Sequence, residues 1–254
     1  MTNNPVTRFS SRAENYAKYR PGYPPGVLEV LKSECGLTPE SVVADVGSGT
    51  GILAELLLKS GNRVFGVEPN EAMRVFAEEK MKGYKQFVNV EGSAEATTLA
   101  DSSIDLVVAA QAFHWFDREK TKQEFKRILK PGGWVVLLWN ERRLDSTPFL
   151  RAYEDLPLRY GTDYHEVRHE NVVEKLAEFF APDRFKLVNL DNFQHFDLVA
   201  LQGRVASASY TPEPGHPNFV NMASELQKIF NELKRDGTVT FEYDTRIYYG
   251  QLGK

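Results

Sequence analysis

The feature that most constrains this chain is a glycine cluster set between two apolar segments of different period. Val42-Val43-Ala44-Asp45-Val46 is a short apolar run interrupted only by Asp45. Gly47-Ser48-Gly49-Thr50-Gly51 follows at once, and Ile52, Leu53, Leu56 and Leu57 then recur at helical spacing until Gly61. A strand that turns through glycines directly into a helix brings its backbone close to whatever sits at the strand end, because no Cβ stands in the way. The first turn of the helix adds N–H groups and the positive end of its dipole. A ligand site is expected here.

The alternation continues downstream. Val64 to Val67 is a second strand, and Asn70 is placed to cap a helix with Met73, Phe76 and Ala77 inward. Phe87 to Val90 is a third strand. Ile104 to Ala110 is apolar on both faces except at Asp105, which suits a central strand covered on both sides. Asp117 caps a helix presenting Thr121, Phe125, Ile128 and Leu129, Pro131-Gly132-Gly133 breaks it, and Trp134 to Leu138 is a fifth strand. Strands and helices alternating over residues 40–140 predict a doubly wound parallel sheet that binds ligands at the carboxyl ends of its strands.

Residues 146–181 read as a polar helical insertion with breakers at Pro148, Pro157 and Pro182. Phe185 to Leu190 alternates as a strand, Phe196 to Ala208 reads as a helix, and Phe219, Ala223, Leu226, Phe230 and Leu233 form one stripe of a longer helix. Val239, Phe241 and Tyr243 alternate within a last strand, expected to be antiparallel. The expected fold is α/β: a doubly wound, mostly parallel seven-stranded sheet with an antiparallel last strand and a helical insertion or lid. Its parts are a lid segment (1–25), a ligand-binding core (40–140), the insertion (146–181) and C-terminal strands and helices (182–254), together one domain over 1–254.

Composition narrows the function classes. With 42% hydrophobic and 26% charged residues, the chain is neither disordered, collagenous nor coiled-coil. A net charge of −4 without any Lys/Arg run argues against a nucleic-acid partner. The single Cys35 leaves no internal disulfide and no cysteine-rich metal cluster. No apolar run approaches the roughly 18 residues of a membrane span, and Met1 to Pro5 has no signal-like apolar core, so no membrane contact and a cytoplasmic location are expected.

The ligand is narrowed by spacing. A dinucleotide fingerprint, G-x-G-x-x-G from Gly47, would need its third glycine where Ile52 stands. Glu68 ends the second strand about 20 residues past the first glycine, where a carboxylate can accept both hydroxyls of a ribose, whichever cofactor carries it. Gly92-Ser93-Ala94-Glu95 follows the third strand. Gln111-Ala112-Phe113-His114-Trp115-Phe116 follows the fourth, an unusual concentration of aromatics for a strand end.

Asp45 with Gly47-x-Gly49-x-Gly51 resembles motif I of the class I S-adenosylmethionine-dependent methyltransferases. Ala112 to Phe116 is similar to a segment of the methyltransferase-11-like enzymes related to trans-aconitate methyltransferases, as are Tyr16-x-x-x-Arg20-Pro21-x-Tyr23-Pro24, Ser207 to Tyr210 and Tyr243 to Tyr248. The resemblance implies a Rossmann-like methyltransferase fold, S-adenosylmethionine as donor, S-adenosylhomocysteine as product, and a small-molecule acceptor methylated at a carboxylate or hydroxyl oxygen. It implies that Gly47, Ser48, Gly49 and Gly51 approach the methionine part and that Asp45 orders their loop. Glu68 would hold the ribose, and Ser93, Ala94 and Glu95 the adenine, Ser93 standing where the family commonly has Asp. Gln111 would bind the donor, and Tyr16 and Arg20 would close over it. Tyr23, Phe113, His114, Trp115 and Tyr210 would line the substrate pocket, with His114 as base or substrate orienter.

A monomer or homodimer is expected. No metal is expected, since the nearest acids, Asp117 and Glu141, read as a cap and a surface residue. The alternatives are a non-catalytic S-adenosylmethionine-binding regulatory module and, disfavoured by Ile52, an NAD-dependent oxidoreductase. A nucleic-acid amino-methylating enzyme is disfavoured because Ala110-Gln111-Ala112-Phe113 stands where its D/N-P-P-Y/F segment would be.

Overall fold

The computed structural model describes residues 18–162, 164, 172–208, 210–213 and 215–253. Helix α1 (Gly26–Cys35) leads into β1 (Val42–Val46), α2 (Ile52–Lys59), β2 (Arg63–Glu68), α3 (Glu71–Lys80), β3 (Phe87–Glu91) and β4 (Ile104–Ala110). A short 3-10 turn, Phe113–Trp115, precedes α4 (Arg118–Ile128) and β5 (Leu129–Arg142). The rest comprises α5 (Pro148–Tyr160), α6 (Val172–Phe180), β6 (Phe185–Phe196), α7 (Leu198–Ala206), α8 (Pro217–Leu233) and β7 (Val239–Gly250).

The seven strands form one sheet in the order β3-β2-β1-β4-β5-β7-β6. Strands β1 to β5 are parallel, and β7 runs antiparallel to both β5 and β6. The chain order reverses between β1 and β4, which opens a crevice at their carboxyl ends. This is the doubly wound, mostly parallel seven-stranded fold with an antiparallel last strand that the alternation predicted. The predicted caps are made: Asn70 accepts from Met73 N and Asp117 from Lys120 N.

Each sheet face is buried. Val46, Val107, Val135, Phe125, Ile128 and Trp139 belong to one apolar cluster, and Val43, Leu57, Val64, Val108, Leu31 and Ile247 to another. A third cluster joins Leu150, Tyr153, Leu201, Leu226 and Phe230 to Phe241 and Tyr243 at the start of β7. It is the cap over the crevice.

The cap departs from the sequence reading. Residues 146–181 are not one polar insertion: α5 joins the cap, whereas Phe179 and Phe180 of α6 pack into the sheet cluster. Pro148 occupies the first turn of α5, where its missing N–H costs nothing. Pro157 lies inside α5 without ending it, because Leu156 and Pro157 are buried where the helix packs against α8. Phe196 closes β6, and Asp197, accepting from Ala200 N, starts α7. The buried stripe of α8 centres on Met222, Leu226 and Phe230, with Phe219 and Ala223 half-buried beside it.

Candidate active site

At the crevice the glycine loop folds back onto β2. Gly47, Gly49 and Gly51 have φ of +69°, +55° and +77°, a region that disfavours side chains. A Cβ on Gly47 would lie 2.6 Å from the Ala112 Cβ. The amides of Gly47 and Ser48 donate to the Val67 carbonyl at 2.8 and 3.2 Å, Gly51 N donates to the Ser48 carbonyl, and Gly49 N donates to Glu68 Oε2 at 2.9 Å. A dinucleotide-binding loop turns such amides toward a pyrophosphate. Here these four are already engaged, which weighs against the NAD alternative.

Glu68 also accepts from Asn70 N through Oε1 at 2.9 Å, so each carboxylate oxygen holds one amide and retains a further lone pair. Burial pushes its carboxyl above the ordinary range, against the pull of those two amides. Asp45 is 1% exposed, and neither of its oxygens has a hydrogen-bond partner. Desolvation raises it to about 7, against the influence of the Ala54 amide in the first turn of α2. The expectation that Asp45 orders the glycine loop is corrected accordingly. Glu68 pins the loop, and Asp45 is a buried carboxyl that makes no hydrogen bond to it.

Two cavities meet at this loop. One of about 290 Å³ is lined by Glu68, Asn70, Met73, Ser93, Ala94, Glu95 and Phe116 among others. The second, about 430 Å³, brings together Arg20, Tyr23, Asp45, Ser48, His114 and Tyr210. Gly47, Gly49, Ala110, Gln111 and Trp115 line both, so the cavities form one cleft divided by the loop and the end of β4. Gln111 turns the chain there at φ +58°, held by Gln111 N on the Leu138 carbonyl and Nε2 on the Asn140 carbonyl. Ser93 and Ala96 exchange backbone hydrogen bonds, and Glu95 Oε1 accepts from Asp117 N, which shapes the wall of the smaller cavity. Arg20 Nη2 donates to the Ser207 carbonyl and so ties the N-terminal segment to the cap.

Several expected site residues lie elsewhere. Phe113 is 3% exposed and packs edge-on to Phe179 and Trp139 in the sheet cluster, so it does not line the substrate cavity. Gly51 lines neither cavity: its Cβ would come within 2.9 Å of Met81 Cε, so this glycine lets α2 and α3 approach each other. Tyr16 lies outside the described residues. Glu141, read as a surface residue, is half-buried, lines the larger cavity and pairs with Arg246 at 2.8 Å. Burial raises its carboxyl.

Sequence reading missed the far wall of the larger cavity: Asn140, Arg142, Tyr164, Arg204 and Tyr243. The first two lie where β5 overruns β4, and the others come from the cap and β7. The only signal available was Tyr243 in the closing motif. Among the described residues no group of three or more His, Cys, Asp or Glu side chains is placed to hold a metal ion. No helix among them is long and apolar enough to cross a membrane.

Residues 44–137, from within β1 to within β5, match the family model described as a methyltransferase domain. Over this core the chain is similar to the class I S-adenosylmethionine-dependent methyltransferases. The domain's cofactor is S-adenosylmethionine, and the cleft suits that molecule. Asp45 offers a buried carboxyl of the chemistry that suits an ammonium group, and each Glu68 oxygen keeps a lone pair that suits a hydroxyl. Two uncharacterized methyltransferases or methyltransferase-like proteins of Schizosaccharomyces pombe are each 34% identical, over 160 and 179 residues, covering 61% and 68% of this chain. The chain spans only 59% and 65% of their lengths. A candidate type II methyltransferase of Anaeromyxobacter dehalogenans shares the fold, with a TM-score of 0.68 at 23% identity over 92% of this chain and 98% of its own. A phosphoethanolamine N-methyltransferase of Haemonchus contortus does so with a TM-score of 0.56 at 16% identity, over 98% of this chain and 57% of its own.

Proposed function

We propose that this chain transfers a methyl group from S-adenosylmethionine to an oxygen atom of a small molecule. The observation that carries this reading is the divided cleft: two cavities on either side of one glycine loop, each of a size for one small ligand, meeting at Gly47, Gly49 and Gln111. When bound, the donor supplies a methyl group on a positively charged sulfur, and the protein's part is to align the acceptor with it. In this reading Glu68 holds the ribose, Ser93, Ala94 and Glu95 form the adenine wall, and Asp45 meets the amino group of the methionine part. Arg20, Tyr23, His114, Trp115 and Tyr210 surround the acceptor, with Arg20 anchoring the segment that covers it.

An oxygen acceptor is supported by the charge of the larger cavity. Arg20, Arg142 and Arg204 line it, and its Glu141 is engaged by Arg246, an environment that suits an anion better than an amine held as a cation. An ionised carboxylate needs no base. A hydroxyl does, and His114, exposed on the 3-10 turn at the cavity, is the residue placed to take its proton. The test is a turnover assay of the full chain with S-adenosylmethionine against a panel of small carboxylic acids, alcohols and amines, following S-adenosylhomocysteine. Methyl ester or ether products support the reading. Turnover of amines alone contradicts the oxygen assignment, and donor binding without turnover on any panel member contradicts catalysis.

A further inference from the structure

The cap side of the larger cavity holds a charge imbalance that packing alone does not resolve. Arg204, on α7, is 5% exposed, and its Nε and Nη1 atoms have no hydrogen-bond partner. Among the described residues no carboxylate oxygen lies within ion-pair distance of it. Arg142, at the end of β5, has a side chain 9% exposed. Its Nη2 is held by Glu154, and by the Tyr164 hydroxyl at 3.3 Å, but its Nη1 has no partner. Tyr164 in turn donates to Glu154, so that carboxylate is held by both groups. Of these two buried guanidinium groups, Arg142 is paired with a carboxylate, whereas Arg204 has the Tyr243 hydroxyl and no carboxylate. Both lie over the Phe241 ring, at 5.9 and 5.8 Å from its centroid, and Arg142 also lies 4.7 Å from that of Tyr153. Ring faces attract a cation but offer its N–H groups no acceptor in the plane of the fork. Arginine does not escape by losing its proton, and a buried cation without a partner is strongly unfavourable.

We propose that Arg204 and Arg142 form an anion-anchoring subsite of the acceptor cavity, which holds a carboxylate or phosphate group of the substrate remote from the atom that is methylated. The guanidinium fork matches two oxygens of either group. Position supplies the second argument. Leu138 lies level with Ala110, where β4 ends beside the glycine loop, and Arg142 is four residues farther along β5. At 3.3 Å per residue that is about 13 Å beyond the donor end of the cleft. A group bound there orients the rest of the molecule toward the loop and makes the arginines specificity determinants. This inference rests on the larger cavity being the acceptor site, as proposed above.

The experiment is a calorimetric titration of the full chain, with and without saturating S-adenosylhomocysteine. The probes are sodium succinate, inorganic phosphate and the neutral succinamide, at matched ionic strength. Succinate or phosphate is expected to bind and succinamide not to bind, and whichever anion binds identifies the group. Arg204→Gln is expected to weaken that binding by about 30-fold or more, and Arg204→Lys by less. Arg142→Gln serves as an independent variant should Arg204→Gln fail to fold. Equal anion affinity in wild type and folded variants, or no anion binding at all, would overturn the subsite. Failure of S-adenosylhomocysteine to bind would instead strike the proposed function, and the titrations without it still test the arginines.

Discussion

Glu68 Oε2 accepts a hydrogen bond from the Gly49 amide at 2.9 Å, so the side chain that ends β2 holds the loop that follows β1. Its other oxygen starts the turn into α3 through Asn70 N. In Glu68→Gln one of these amides faces an NH2 group instead of an oxygen. The expected result is a loss of S-adenosylhomocysteine affinity of about 10- to 150-fold, the equivalent of one hydrogen bond to a charged group. Calorimetry checks it. Unchanged affinity would separate Glu68 from the donor.

Asp45 gives the cleft a pH signature. Its carboxyl holds a proton up to about 7 in the folded chain but releases it near 4 when unfolded, so the native state binds the extra proton between those values. This contribution to stability is fully present below about pH 4 and is lost as pH rises through about 7. Asp45→Asn removes the dependence, so its Tm relative to wild type is expected to rise from about pH 5 to about pH 8. Thermal melts across that range measure the difference, and a pH-independent gap would contradict the assignment.

Phe113 and Trp115, neighbours on one 3-10 turn, are expected to have opposite signatures. Phe113→Ala empties a site in the sheet cluster and should cost about 3–5 kcal/mol, a fall in Tm on the order of 10 °C. Trp115 is half-buried and lines both cavities. Trp115→Ala should leave Tm within a few degrees and weaken S-adenosylhomocysteine binding by about tenfold or more. Melting and titration of the two variants side by side decide the matter.

His114→Ala reports on the acceptor. Against a hydroxyl acceptor, removing a general base lowers kcat by about 10²–10⁴-fold. The exposed position of His114 favours a carboxylate acceptor, for which the expected loss is below about tenfold and the pH profile is kept. A hundredfold loss with an altered pH profile would reverse that preference.

The sheet was legible because its signals are local. Val42 to Val46 and Ile104 to Ala110 are apolar on both faces, as strands covered on two sides must be, and Asn70 and Asp117 carry their caps in the sequence. The donor half of the cleft was legible for the same reason, since its loop, Glu68 and Ser93 follow directly on strands. The acceptor half was not. Arg142 lies on a strand whose overrun no pattern marks, Arg204 sits on a cap helix, and their meeting at Phe241 depends on a strand nearly 40 residues farther on. Phe113 was misplaced because an aromatic at a strand end reads alike whether it points into a cleft or under it. Pro157 was taken for a breaker because the burial that outweighs its missing N–H comes from α8.

The most direct test of the central claim is a calorimetric titration of the full chain with S-adenosylmethionine and S-adenosylhomocysteine, beside NAD, on wild type and Glu68→Ala. Micromolar binding of the first two to wild type, much weakened in the variant and absent for NAD, is the predicted result. Preference for NAD, or affinity for S-adenosylhomocysteine indifferent to Glu68, would contradict it.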